Sequence, residues 1–129
     1  MATRRLFLLD SIAYVGPECD AQVVVCGSHG GASAASFVLQ QARRPLAVMF
    51  NDAGVGKDSA GTVGLAMLQS VGVACAAYSH LSARIGDARD GWENGVITHS
   101  NAAARALGLD AGMAVRDAVA RLDAAPAPA

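Results

Sequence analysis

The sequence predicts a single compact α/β domain, three-layer-like, with a mainly parallel sheet and an antiparallel addition at its N-terminus; α+β is the alternative. Three observations carry this. Short apolar runs rich in β-branched residues stop at turns rich in Gly and Asn. Strand and helix patterns then alternate twice in succession between Val23 and Tyr78, the order of a parallel sheet with crossovers. A length of 129 residues suits one core.

Taken in order, Leu6–Leu9 reads as a first strand, and 12–15 continues it or pairs with it before Gly16-Pro17 forces a turn. Gln22–Cys26 is a β-branched run fit for a buried strand. It ends at Gly27-Ser28-His29-Gly30-Gly31, after which Ala34, Phe37, Val38 and Gln41 mark a helical face that Arg43-Arg44-Pro45 closes. Leu46–Phe50 is the next strand and runs into 51–58. Ala60, Val63, Gly64, Met67, Leu68 and Val71 then keep a helical period, with Gly72 just past the end. Val73–Tyr78 is a further strand ending at Ser79-His80.

From 81 to 94 the chain reads as polar and irregular. Val96-Ile97 suits a short strand or a helix entry. Helices are expected over 101–107, stopped by Gly108, and over 113–122. The domain spans 1–123, and the Ala/Pro tail at 124–129 is expected to be disordered.

Apolar residues make up 53% of the chain and charged residues 16%, a folding composition. So large an apolar share is hard to hide in a small domain, and an assembly of identical copies is expected. Ten basic against eleven acidic residues form no basic stripe, so no nucleic-acid partner is expected. The apolar runs are too short to cross a membrane. The opening residues lack the apolar length and cleavage site of a signal peptide. Cys19, Cys26 and Cys75 are odd in number and form no CxxC pair, which points to a reduced, cytoplasmic setting.

In parallel sheets, ligands bind beyond the carboxyl ends of the strands. Ser28, His29, Asn51, Asp52, Lys57, Ser79 and His80 would converge there if their strands are neighbours. The Gly27, Ser28, Gly30 and Gly31 loop suits an anion, because glycines let backbone N–H groups face a ligand at a helix start; a plain tight turn is the other reading. The 54–58 stretch is not a Walker A loop, since Asn51 stands where Gly is needed and Asp58 where Ser or Thr is needed. Lys57 can still pair with a substrate anion or bridge Asp52 or Asp58, and Asp58 suits a helix N-cap.

His29 and His80, with Asp52 between them in sequence, fit general acid–base chemistry. They fit a divalent metal less well, because no ligand spacing supports one, and no cofactor is expected. No GxGxxG follows a strand, which argues against a dinucleotide. Cys26 before a helix start could be a nucleophile, but a Cys ending a run of valines is more often core. Arg84 could clamp a carboxylate and Trp92 could cover it; a solvated loop of paired charges is the alternative. His99 reads as a surface or capping residue.

Asn51-Asp52-Ala53-Gly54, the helix closing at Gly72, and the ending from Ala106 through Gly112-Met113-Ala114-Val115-Arg116-Asp117-Ala118 resemble the small bacterial YunC-like proteins. Those carry an Asn-Asp-x-Gly turn and a Gly-Met-x-x-Arg-Asp-Ala terminal helix. The resemblance covers about the last two-thirds of the chain and implies a compact α/β domain without a particular activity. The Ser-His-Gly-Gly loop and the Gly-Lys-Asp portion depart from that pattern.

The residues together point to an enzyme of hydrolase, lyase or isomerase type acting on a small anionic metabolite. His29 or His80 moves the proton, Asp52 orients it, and Lys57 and Arg84 neutralise charge. A metabolite-binding module without chemistry and an accessory oligomeric subunit are the alternatives.

Overall fold

Alternation along the strands decides the architecture. Val23, Val25, Ala47, Met49, Ala76 and Tyr78 enter one core, while Val24, Cys26, Val48, Phe50, Cys75 and Ala77 enter a second on the opposite face. A strand whose successive side chains are all apolar needs cover on both faces. The computed structural model describes residues 3–55 and 62–126.

Six strands form the sheet: β1 (Arg4–Leu9), β2 (Val23–His29), β3 (Ala47–Asn51), β4 (Ala74–Tyr78), β5 (Ile97–Ser100) and β6 (Ala124–Pro126), in the order β5-β4-β3-β2-β1-β6. All pairs are parallel except β4 with β5. Helices α1 (Ala32–Leu39) and α2 (Val63–Gln69), with two 3-10 turns at 12–14 and 17–19, cover one face. Helices α3 (Ala88–Asn94), α4 (Ala102–Ala106) and α5 (Val115–Arg121) lie on the other. The chain is a single α/β domain with three layers.

Several elements differ from the sequence expectation, each for a physical reason. β1 is parallel to β2, so the N-terminal segment is no antiparallel addition; the antiparallel strand is β5, at the far edge. Ile12–Tyr14 turns as a 3-10 helix capped by Ser11, whose hydroxyl accepts from the Ala13 N–H, and Val15 follows it in extended conformation. The polar stretch 81–94 contains α3, whose N-cap Asp87 accepts from the Asp90 N–H at 3.0 Å. At the other end, Ala124–Pro126 is ordered as the outer strand β6 rather than forming part of a disordered tail. Its anchors are tertiary: the Arg4 N–H donates to Asp123 O, and Thr3 Oγ1 donates to Asp123 Oδ2 at 2.6 Å. Pro126 suits a sheet margin, where no further ladder donor is needed.

Both helices on the α1–α2 face are rotated from the expected phase. Ala34, Ala35 and Val38 are buried in α1, and Gly64, Leu65 and Leu68 in α2, while Phe37, Val63 and Val71 stand exposed. Gly64 sets the rotation. A Cβ there would lie 2.9 Å from the carbonyl oxygens of both Gly30 and Gly31, so only glycine lets α2 meet the start of α1 this closely.

A buried amide locks the sheet on the β5 side. Asn101 Oδ1 accepts from Cys75 N at 3.0 Å and, as the N-cap of α4, from Ala104 N at 2.9 Å. Its Nδ2 donates to Val73 O at 2.9 Å and Leu65 O at 3.2 Å. Among the described residues, no helix is long and apolar enough to cross a membrane.

Candidate functional site

Because β2, β3 and β4 are parallel neighbours, the segments after Cys26, Asn51 and Tyr78 open onto one edge of the sheet. The antiparallel β5 begins at that same edge, beside the end of β4.

Asp52 is the centre of this edge. Its backbone N–H donates to Tyr78 O at 2.8 Å, which draws the carboxylate toward the end of β4. Oδ1 accepts from Gly54 N at 2.8 Å, His80 N at 3.0 Å and His80 Nδ1 at 3.2 Å. Oδ2 accepts from Thr98 Oγ1 at 2.9 Å. Burial raises the carboxyl's affinity for a proton. The N–H groups of Gly54 and His80, the Thr98 hydroxyl and the His80 ring outweigh that and hold Asp52 below the usual carboxylate range. Asp52 is therefore ionised at neutral pH.

The asymmetry of the pair matters chemically. The Asp52 side chain is 6% exposed and that of His80 is 45% exposed. With Nδ1 on the carboxylate, a neutral His80 keeps its hydrogen there and carries a bare lone pair on Nε2. The ring rests beside Gly54, where a Cβ would lie 3.3 Å from its Cε1. The turn beneath is strained: Ala53, Gly54 and Val55 all have positive φ, at 51°, 73° and 67°. For β-branched Val55 that is a costly conformation of the kind that gathers at functional sites.

Other predicted residues are occupied by the framework. Asn51 is fully buried; its Nδ2 donates to Ala83 O at 3.1 Å and its Oδ1 accepts from Ala53 N at 2.8 Å. Ser28 Oγ accepts from Ile12 N at 2.9 Å, tying β2 to the turn after β1. A Cβ on Gly27 would lie 2.5 Å from Gly86 C, so that glycine admits the crossing chain. The N–H of Gly30 donates to Asn51 O, and its carbonyl accepts from Gly64 N. Gly31 starts α1 without a side-chain cap. The Gly loop thus works first as packing, with the α1 N-terminus as its remaining feature for an anion. Ser79 organises the turn after β4, its Oγ accepting from Leu81 N at 3.0 Å.

His29 is exposed at the end of β2, level with Asn51, and its side chain has no hydrogen bond or ion pair to a described residue. Lys57 and Asp58 lie outside the described residues. Arg84 borders a separate cavity of about 290 Å³ with Asp87, Arg89, Asp90 and Glu93. Three carboxylates beside two guanidiniums do not favour an anion. Trp92 is not over the His80 site: it packs on the α3–α5 core, with the Arg116 guanidinium 4.7 Å from its ring.

All three cysteines are buried, Cys19 included. Burial pushes the Cys26 and Cys75 thiols up, so neither is a ready nucleophile. Among the described residues, no group of three or more His, Cys, Asp or Glu side chains is placed to hold a metal ion.

The sequence missed Thr98. It lies on β5, far along the chain from Asp52, and only the antiparallel return beside β4 brings its hydroxyl to the carboxylate. The segment 79–87 also proves to be a strap across the edge. Asn51 holds Ala83, Gly27 O accepts from Gly86 N at 2.8 Å, and Asp10 Oδ1 accepts from Ala88 N at 2.9 Å. Comparison with protein-family models, with curated proteins and with solved structures finds no match for this chain.

Proposed function

We propose that this chain is an enzyme that moves a proton on a small anionic metabolite, in a hydrolysis, elimination or isomerisation, with His80 as general base. One observation carries the reading: a buried, ionised Asp52 orients a half-exposed imidazole through Nδ1 at 3.2 Å. That arrangement turns a lone pair at Nε2 outward and offsets the charge that appears on the ring when it takes a proton. His29 and the start of α1 stand along the same edge and suit the anionic part of the substrate, with Lys57 as a further partner.

The test is a thermal-shift screen of the full chain against small carboxylates and phosphates, followed by recovery of any stabilising compound. Turnover of that compound, reduced roughly 10²- to 10⁴-fold in His80→Gln, supports the reading. A compound bound and returned unaltered by the wild-type protein assigns the edge to binding without chemistry.

A further inference from the structure

We infer that His99 is a second imidazole of this site, tied to Asp52 through the Thr98 hydroxyl and held with its Nε2 bare. The inference deepens the reading of Asp52 and His80 given above and rests on it. It promotes a ring that sequence assigned to the surface.

Thr98 Oγ1 lies 2.9 Å from Asp52 Oδ2, 3.0 Å from His99 Nδ1 and 3.3 Å from Ala77 O. A hydroxyl has one hydrogen to donate. Asp52 is nearer than the Ala77 carbonyl and is charged, so it takes that hydrogen. Oγ1 is then an acceptor toward His99, and His99 Nδ1 must supply the hydrogen between them. A neutral His99 therefore presents a bare Nε2, as His80 does from the other oxygen of the same carboxylate.

The strand geometry is made for this contact. Ile97 pairs with Tyr78 and His99 with Ala77, so Thr98 is one residue too many for the ladder. Such a bulge re-aims a side chain, and here the hydroxyl reaches Asp52. His99 is exposed, and with Thr98, Ser100, Arg105 and Asp110 it borders a groove of about 490 Å³ beside the edge strand. A bare Nε2 accepts hydrogen bonds, so a ligand that His99 holds in this groove must offer hydroxyl or amine hydrogens.

The experiment is a long-range ¹H–¹⁵N correlation of the imidazoles in the full chain, at a pH where they are neutral. An unconstrained imidazole favours hydrogen on Nε2. The expected result is the reverse for both rings, with Nδ1–H dominant in His80 and His99. In Thr98→Val, a substitution that keeps shape and strand preference, His99 should lose that preference while His80 keeps it. Thr98→Ser should restore it. The Asp52 carboxyl, followed by ¹³C, should titrate at a higher midpoint in Thr98→Val. A wild-type His99 with hydrogen on Nε2, or a His99 pattern indifferent to Thr98→Val, overturns the inference. No substrate enters these spectra, so they stand or fall separately from the turnover test.

Discussion

Asn101 and Asp52 are both buried polar side chains, and each gathers four hydrogen bonds. All four partners of Asn101 are backbone groups, so its full hydrogen-bonding capacity goes into joining α2, β4 and the start of α4. Asp52 spends two contacts on backbone and two on side chains, one of which belongs to a half-exposed ring. The first arrangement ends inside the protein. The second carries a buried charge outward to solvent. The difference teaches that burial of a polar group does not mark a site; a mobile hydrogen at the end of its network does.

Substitutions can break that contrast, beginning with the largest effect. Asn101→Ala should strip the N–H groups of Cys75 and Ala104 and the carbonyls of Val73 and Leu65 of their Asn101 bond, costing about 3–4 kcal/mol in urea unfolding while leaving the His80 tautomer unchanged. A cost under about 1 kcal/mol would remove Asn101 as the structural counterpart. Gly27→Ala pushes a methyl into the backbone of the crossing strap and should cost about 1–3 kcal/mol. If the strap merely packs, ligand affinity in that variant follows stability and nothing more.

Asp52→Asn should cost about 1–2 kcal/mol at neutral pH, less than Asn101→Ala, and should abolish turnover. Its sign with pH sharpens the contrast. The folded carboxyl has a lowered pKa, so its stabilising contribution is present above the unfolded value of about 4 and is lost as pH falls through the folded one. Unfolding curves of wild type and Asp52→Asn should therefore converge in acid, and a gap unchanged between pH 7 and pH 3 would contradict the role given to its hydrogen bonds. His80→Gln has the smallest stability effect, within about 0.5 kcal/mol, because the ring is half exposed. Turnover is where its loss should be felt.

Much of the scaffold was legible. The runs ending at Cys26, Phe50 and Tyr78 are long, apolar and β-branched or small, and alternation with helices fixed their parallel order. The helix phases were less so: Gly64 and Leu68 are buried as their period predicts, but Leu65 takes the place beside them that Val63 and Val71 also fit, and the deciding contact of Gly64 with Gly30 and Gly31 is tertiary. Asp52 and His80 could be picked out because both follow strands. Asn51, beside Asp52 and of the same shape, could not be separated from it until its amide was found facing Ala83. Thr98 and His99 gave no local signal, since a bulge on a four-residue strand leaves no periodic trace. Ala124–Pro126 has no strand pattern at all and is ordered by what lies beside it.

That last pairing bears on how the molecule assembles. Arg4 is matched with Ala124, so the outermost rung of the sheet joins opposite ends of the described chain. Contacts of such separation form late, after loop closure has been met by more local ones. During synthesis, β1 would hold its β2 side paired and its outer side open until residue 124 has emerged, and an open ladder invites pairing with a neighbouring copy. Three residues thus act as a clasp, and replacing their pairing with β1 by a strand-breaking sequence should show first as clumping during expression rather than as any change in chemistry.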